Sequence, residues 1–326
     1  MRFELSEAQS SWQLKGASLG DELTIDATAE DAVMGAVRLG LLDARVDLLS
    51  LTAAVEAIGH ASPSAAVSYA MQATVASVLH HDQYFGDSLL QGETIGALAL
   101  SAEEVPVERD GKLSGRASWV APIASPGLAI LGVRAGDELV AFAVLLDADG
   151  VTVEAEKAAG LRGLACGHLM LRNVPAIRIG ATVPVMVRAR VLMAGVGLGI
   201  GKRALLEALS AARHSGAGDA GEQTVQGLLA DAATELDAAR LLTWEAAARN
   251  DQLSLGGASI AKLAATTAAQ RAVERATQVI GVETLRRGHV IERLTQDVRA
   301  LELFAGRTEA LREAVAADVL PSGDSN

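Results

Sequence analysis

Cysteine is almost absent from this chain of 326 residues, and its single thiol, Cys166, excludes a disulfide framework. One thiolate is also too few for a zinc ribbon. Six histidines are present, and none has another four residues away as a helical ligand pair requires. His80 and His81 are adjacent, so in a helix their side chains would point about 100° apart, which suits no common metal site. We therefore expect no metal site and a reducing, cytoplasmic compartment.

Aromatic residues are also scarce, at 3% of the chain, so the core must be built from Leu, Val, Ile and Ala. Hydrophobic residues nevertheless make up 50% of the sequence, which excludes a disordered chain. Because alanine has the highest intrinsic helix propensity, the alanine-rich composition favours long helices that pack closely together. The length allows about two domains of roughly 150 residues, or one large domain.

Positive charge is in deficit, because 28 Lys and Arg stand against 40 Asp and Glu and leave a net charge of −12. Binding to nucleic-acid phosphates needs clustered basic residues, so we expect no nucleic-acid partner. Long apolar runs are missing as well: the run over 191–200 ends after about ten residues, whereas a membrane-spanning helix needs about 20. The acidic residues Glu4 and Glu7 lie in the N-terminal region, where a signal peptide carries basic residues. We expect no membrane partner and no targeting segment.

The spacing of apolar residues divides the chain into three regions and a tail, with a fold class that is mainly α with a central β-domain. Residues 1–92 are predicted to be helical, with Ser62 capping a helix that Pro63 begins. Residues 93–180 hold short β-type runs broken by Gly, Pro and Asp, which predicts a small antiparallel barrel or sandwich. Residues 181–320 return to the helical period and predict an antiparallel four-helix bundle. Its segments are 186–214, 222–250, 256–280 and 289–318, and 321–326 form a polar tail.

A glycine-rich stretch at 195–203 has the look of a phosphate-binding loop but not its pattern. A P-loop would need a glycine at Val196 and a serine or threonine at Arg203. The third glycine of a dinucleotide-binding motif would fall on Ile200. The glycines therefore indicate a helix face along which another helix approaches closely.

Seven short motifs follow one another between about residue 39 and residue 320. They are Gln91-Gly92-Glu93, 113–120, Leu161-Arg162-Gly163, 223–226, Ala261-Lys262-Leu263, 278–281, and Glu292-Arg293 followed by Asp297. Each motif is weak alone, but their order and the succession of helices, β-domain and bundle resemble the acyl-CoA dehydrogenase family. Members of that family bind FAD between subunits and remove two hydrogens from the α and β carbons of an acyl-CoA. A carboxylate takes the α proton while hydride passes to the flavin.

The resemblance implies two groups of flavin-binding residues. Ser101 and Trp119 lie where the family contacts the flavin of its own subunit. Arg213, Gln278 and Gly281 lie where it reaches the pyrophosphate and adenosine end of a neighbour's FAD. A planar guanidinium suits a pyrophosphate because it donates two hydrogen bonds to anionic oxygens.

Simpler structural roles remain open for each of these positions. Arg213 also fits a cation near the last carbonyls of a helix. Gln278 and Gly281 also fit an ordinary helix C-terminus with a glycine cap. Trp119 also fits a packed aromatic of the β-domain, with or without a flavin against it.

The departures from the family pattern concern the catalytic base. The family's glutamate aligns with Ala305, and the alternative position used by some members aligns with Ala189, so neither position can accept a proton. Ala121 replaces a hydroxyl that contacts the flavin, and Arg307 replaces a small threonine. Glu302, one helical turn before Ala305, is the nearest carboxylate that could substitute, although a solvated helix position explains it more simply.

A chain that lacks the base of its own site but keeps groups that serve a neighbour's flavin resembles the short subunits of heteromeric actinobacterial acyl-CoA dehydrogenases. Those subunits pair with a longer catalytic subunit as α2β2 assemblies that oxidise CoA thioesters of cholesterol and other steroids. The resemblance implies lipid or steroid catabolism, a shared FAD and an acyl-CoA substrate. A flavin-free structural subunit and an autonomous flavoenzyme with a relocated base are the alternatives. We also expect Arg307 to extend into the vacated flavin cavity.

Overall fold

The fold is taken from a computed structural model, which describes residues 4–100, 104–214, 222–249 and 252–320. Ser101, one of the predicted flavin contacts, lies outside the described residues. The described chain contains an N-terminal helical region, a β-domain and a C-terminal set of long helices. The predicted fold class, mainly α with a central β-domain, is confirmed.

Five helices form the N-terminal region: α1 Glu7–Glu22, α2 Ala29–Arg38, α3 Leu48–Ala61, α4 Pro63–Leu79 and α5 Gly86–Leu90. Side-chain caps fix where they begin, because the first amides of a helix lack intrahelical partners. Thr28 and Asp31 form a capping box at α2. The predicted start of α4 is confirmed, since the Ser62 side chain accepts from the amide of Ala65 and Pro63 occupies the first turn.

The β-domain consists of β1 Ile95–Ala99, β2 Val107–Arg109, β3 Lys112–Val120, β4 Gly127–Ala135, β5 Glu138–Leu145, β6 Val151–Glu156, β7 Cys166–Pro175 and β8 Ile177–Ala181. They form one sheet in the order β6-β7-β3-β2-β4-β5-β8, with β1 paired to β4. Most pairings are antiparallel, as predicted, but β1 and β2 each pair with β4 in parallel. A prediction from turn signals alone finds hairpins and misses such non-local pairings.

The C-terminal region contains α6 Thr182–His214, α7 Glu222–Arg249, α8 Leu255–Ile280, a short 3-10 helix Gly281–Leu285, α9 Val290–Leu303 and α10 Thr308–Val319. The prediction of one helix over 289–318 is wrong, because the chain breaks between α9 and α10. Ala305 and Gly306 have φ angles of +56° and +113° there, outside the right-handed helical region. Loop 304–307 is therefore a distinct feature of the molecule.

Helix α6 is the central element, and its glycines allow close packing as predicted. Added Cβ atoms at Gly197 and Gly201 would lie 3.3 Å from the Ala265 backbone and 3.2 Å from the Ala269 backbone of α8. In each of these two pairs the α8 residue follows the α6 residue by 68 positions, so α6 and α8 run parallel and keep one register. By length and composition α6 could also cross a membrane, but 83% of its most apolar window is buried inside the protein.

Adding one methyl group at Gly199 of α6 should test this close packing. A Cβ there would lie 2.5 Å from the Glu56 carbonyl oxygen of α3, so Gly199→Ala must push two backbones apart. We expect a loss of about 1–3 kcal/mol in the free energy of unfolding, measured by urea denaturation. Gly227→Ala on α7 is the matched control, because open space surrounds that position. The control should gain about 0.5–1 kcal/mol from helix propensity, and equal effects would contradict the packing account.

Candidate functional site

The backbone of loop 304–307, to which the resemblance assigns the base position, is bound by two buried basic side chains. Arg190 of α6 is 4% exposed; its Nε donates to the Ala305 carbonyl at 3.1 Å and its Nη1 to Ser259 Oγ at 2.6 Å. Lys262 of α8 is 0% exposed, and its Nζ donates to the carbonyls of Gly306 at 2.6 Å and Glu302 at 3.1 Å. These bonds fix the left-handed backbone of the loop.

The same burial changes the acidity of Lys262. Desolvation, and secondarily the charge of Arg190, lowers the pKa of Lys262 to about 7. Sequence reasoning singled out Lys262 only as part of a motif and missed Arg190. A lysine on an otherwise alanine-rich helix face was the available signal, but Arg190 is brought beneath the loop only by tertiary packing.

The two positions to which the resemblance assigns a catalytic glutamate, Ala305 and Ala189, hold only methyl groups. Ala189 is 1% exposed and lies beside Arg190 on α6, while Ala305 is partly buried in the loop. The nearby Glu302 carboxylate is already engaged on both oxygens. Gln270 Nε2 donates to its Oε2 at 2.9 Å and Thr308 Oγ1 to its Oε1 at 2.8 Å. Glu302 is therefore fixed as a link between α8, α9 and α10.

Arg307 does not extend into the protein, so the prediction that it fills a flavin cavity is wrong. The residue is the N-cap of α10, and its side chain is 61% exposed. Its Nε lies 4.0 Å from Glu309 Oε2, another exposed group. Solvation of a guanidinium that is always charged explains the outward position, because burying it without a partner is costly.

Trp119 lies at the end of β3, and much of its surface is open to solvent. Its φ is +55° and the residue is 55% exposed, so it is not an interior packing residue. The Trp119 ring and the His168 imidazole make an edge-to-face type of contact, with their centroids 5.4 Å apart. The adjoining Ala121 is fully buried and offers no hydroxyl. Sequence reasoning found Trp119 but missed its neighbour His168.

The three residues predicted to serve a neighbour's flavin share one end of the bundle. The parallel register of α6 and α8, with its offset of 68, places Arg213 level with Gly281. Arg213 and Gln278 are exposed. Gly281 ends α8 with a φ of +80° and has open space where a side chain would be. We call the surface formed by Arg213, Gln278 and Gly281 the bundle end.

The bundle end and loop 304–307 are far apart. Lys262 contacts the loop and Gly281 ends the same helix, and the 19 helical steps from one to the other span roughly 28 Å at 1.5 Å per step. Exposed apolar side chains adjoin the bundle end, since Val282 and Leu285 of the 3-10 helix are each 77% exposed. Loop and bundle end are therefore two separate regions with different chemistry.

A second loop, around Leu161, is tied to α9 by a buried carboxylate. Asp297 is 2% exposed, and its Oδ1 accepts from the Leu161 amide at 2.5 Å. Burial raises the pKa of Asp297 from 3.8 to about 6. Arg293 and Asp26 form an ion pair alongside it. The motif Leu161-Arg162-Gly163 thus has a structural role in joining the β-domain to α9.

The raised pKa of Asp297 predicts that its buried charge destabilises the folded protein at higher pH, and Asp297→Asn removes that charge. A folded-state pKa above the unfolded value stabilises the protein at low pH, and that contribution is lost as pH rises from 3.8 to about 6. Asn keeps an acceptor for the Leu161 amide without the buried charge. Above pH 7 the variant should be more stable by on the order of 1–3 kcal/mol, and near pH 4 the difference should vanish.

Thermal unfolding between pH 4 and pH 8 measures this effect. Asp231→Asn is the matched control, because that carboxylate is 68% exposed. A difference that is constant over the whole pH range would show that the charge of Asp297 is not its cause.

Comparison with known proteins shows which proteins this chain resembles. Residues 181–320 match the family model described as acyl-CoA dehydrogenase, C-terminal domain. The chain is 31% identical to 3-sulfinopropanoyl-CoA desulfinase of Paraburkholderia xenovorans over 53% of this chain and 49% of that protein. It is 28% identical to the mitochondrial short-chain specific acyl-CoA dehydrogenase of Bos taurus over 71% and 64%. It therefore spans about half to two thirds of the length of these relatives.

Solved structures share the fold over nearly the whole chain. Butyryl-CoA dehydrogenase from Megasphaera elsdenii superposes with a TM-score of 0.87 and 17% identity, covering 98% of this chain and 100% of that one. The Tcur3481-Tcur3483 steroid ACAD superposes with a TM-score of 0.82 and 19% identity, covering 96% and 98%. Identities this low show the fold alone. The family model and the curated relatives make this chain similar to acyl-CoA dehydrogenases.

Proposed function

We propose that this chain is a non-base-bearing subunit of a heteromeric, FAD-dependent acyl-CoA dehydrogenase. The observation that carries the proposal is the separation of its two regions. The base positions Ala305 and Ala189 hold methyl groups, while the bundle end, roughly 28 Å away along α8, keeps Arg213, Gln278 and Gly281. A chain can lose the catalytic base of its own site and still contribute to a neighbour's flavin site, since these two regions serve two different flavins.

The bundle end suits the phosphate-bearing half of FAD. Arg213 offers a charged, forked donor on an exposed helix end, and Gln278 offers an amide. The open space at Gly281 lets a ligand approach the backbone. When bound, FAD accepts the hydride in α,β-dehydrogenation of an acyl-CoA. This chain's own residues bind and orient it, and the proton is taken by a base on the partner.

The region of this chain's own flavin suits the cofactor less well. Ala121 lacks the hydroxyl that the resemblance implies, and Ala305 lacks the carboxylate. Trp119 remains exposed and available. We therefore place one FAD in each αβ pair, bound mainly by the partner and completed by this chain.

The proposed partner is a longer catalytic acyl-CoA dehydrogenase subunit in an α2β2 heterotetramer of the cytoplasm. The structural neighbour described as a steroid ACAD carries a paired designation, which supports a two-component assembly. Its description also supports a bulky, cholesterol- or steroid-derived CoA thioester as substrate. The exposed Val282 and Leu285 beside the bundle end suit coverage by another subunit, because large apolar side chains cluster at interfaces.

Replacing Arg213 tests this function directly. In the purified complex, Arg213→Ala should remove a charge-assisted hydrogen bond worth about 1.5–3 kcal/mol and so weaken FAD binding by about 10- to 100-fold. Flavin fluorescence titration of the reconstituted apo-complex measures the affinity. Arg249→Ala is the matched control, because that exposed arginine ends α7 at the opposite end of the bundle.

Unchanged FAD content and affinity in Arg213→Ala would instead favour the second candidate, a flavin-free structural subunit. The methyl groups at Ala121 and Ala305 are the observation on which that alternative rests. A measured ratio of two flavins per αβ pair would contradict the single shared site.

A further inference from the structure

Helix α10 and the loop before it lie along α8 and close off Lys262, which is 0% exposed, from solvent. At one end of this segment, Lys262 Nζ donates to the Gly306 carbonyl at 2.6 Å. At the other end, the Ser254 hydroxyl at the start of α8 donates to the Asp318 carboxylate. The segment therefore runs antiparallel to α8, and we call residues 304–319 the strap.

Few buried side chains hold the strap in place. Within α10, all of which the structure describes, Leu311 alone is buried. Gly256 of α8 permits a close approach of the two helices, because an added Cβ would lie 2.8 Å from the Ala314 carbonyl oxygen. Helices that bury so little apolar surface open at a lower free energy than the core of a protein. The polar bonds at the two ends of the strap therefore carry much of its attachment.

Lys262 joins the strap to α8 through a charge that its surroundings compensate poorly. Its Nζ donates to one carbonyl oxygen of the strap and to one of α9. Arg190 of α6 is a second buried cation beside it, and the Glu302 carboxylate of α9 is the acidic group that faces it. On the strap itself, Arg307 and Glu309 point to solvent, with side chains 61% and 67% exposed. Two buried positive charges thus face one carboxylate.

The burial of this ammonium couples the position of the strap to proton binding. Desolvation, and secondarily the charge of Arg190, lowers the pKa of Lys262 from 10.5 to about 7 while the strap is docked. An open strap admits water to the amine and restores its ordinary pKa. Between these two values the open state therefore binds a proton that the docked state lacks. A fall in pH towards 7 favours opening, and a rise in pH favours docking.

We propose that residues 304–319 form a strap whose docking on α8 is controlled by the protonation of Lys262. The docked strap covers the amine, and a rise in proton concentration increases the fraction of molecules in which the strap is open. Opening exposes the side of α8 that carries Lys262, together with the loop to which the resemblance assigns the base position. The device is independent of the proposed flavin function, because the bundle end shares no residue with it.

Hydrogen exchange followed by mass spectrometry tests the proposal on the full chain, with its partner where the two purify together. Peptides from α10 report the opening of the strap, after correction for the intrinsic exchange rate at each pH. We expect the equilibrium constant for opening to fall about tenfold per pH unit between pH 7.5 and pH 9, since docking releases one proton. Helix α1 is the internal reference: it packs on α3, so its opening leaves Lys262 buried and should not follow this pH dependence.

Lys262→Met removes the titrating group, so the strap of this variant should open to the same extent at every pH. Lys202→Met is the matched control, because it removes an exposed lysine of α6 and should keep the pH dependence of the parent chain. The parent profile decides the question even where Lys262→Met does not fold: an opening constant that is equal at pH 7.5 and pH 9 would overturn the proposal. An unchanged pH dependence in Lys262→Met would also overturn it, as would α10 amides that exchange only together with those of the buried α4, by global unfolding.

Discussion

The isolated chain, supplied with FAD and an acyl-CoA, is expected to show no dehydrogenation above the protein-free background. A positioned base contributes about 10²–10⁴ to the rate, and the methyl groups of Ala305 and Ala189 cannot take the α proton. The proposed complex is expected to turn over, because under the proposed function the partner supplies the base. Reduction of an electron-accepting dye with butyryl-CoA and with a steroid-derived CoA thioester measures both.

Glu302→Gln is the variant that distinguishes a chain without a catalytic base from a chain whose base is Glu302. Both oxygens of Glu302 accept hydrogen bonds, from Gln270 and Thr308, so we expect the substitution to leave the complex's turnover unchanged. Measurable turnover by the isolated chain that Glu302→Gln abolishes would establish an autonomous enzyme with its base one helical turn away.

The break at 304–307 illustrates what the sequence could not predict. Apolar residues continue at helical spacing through Phe304 and Leu311, which favours one helix. Gly306 is the one helix-ending signal in this stretch, and a single glycine does not by itself predict a break. The break exists because Arg190 and Lys262, more than 40 residues away in the chain, bind the loop carbonyls. Local propensity carries no information about such contacts, and tertiary structure overrides it.

The opposite holds at the bundle end, where sequence order was sufficient. Predicting three consecutive antiparallel helices also predicts that the first and third run parallel and end together. The ends of α6 and α8 therefore bring Arg213 and Gly281 level in the structure. What the motifs did not provide was exposure: only the structure distinguishes an accessible Gln278 and Trp119 from buried ones.

A buried ion pair between α3 and α7 contributes to the attachment of the N-terminal helices to the bundle. Glu56 is 2% exposed, and its Oε1 accepts from Arg240 Nε at 2.9 Å and Nη2 at 2.7 Å. Its Oε2 is buried without a hydrogen-bond partner among the described residues. Arg240 is thus the main compensation for a carboxylate held in the interior.

Arg240→Met should therefore destabilise the chain by about 3–5 kcal/mol, because it leaves an unpaired charge buried. The double variant Glu56→Met with Arg240→Met removes both charges and should return to within about 1 kcal/mol of the parent, since apolar pairs often replace buried ion pairs without loss. Urea unfolding of the four proteins in this cycle gives the coupling energy. Asp237→Asn serves as the control, because that carboxylate also contacts Arg240 but is 72% exposed, and it should cost less than about 1 kcal/mol. A double variant as unstable as Arg240→Met would show that α3 and α7 are joined by the packing of these side chains and not by their charges.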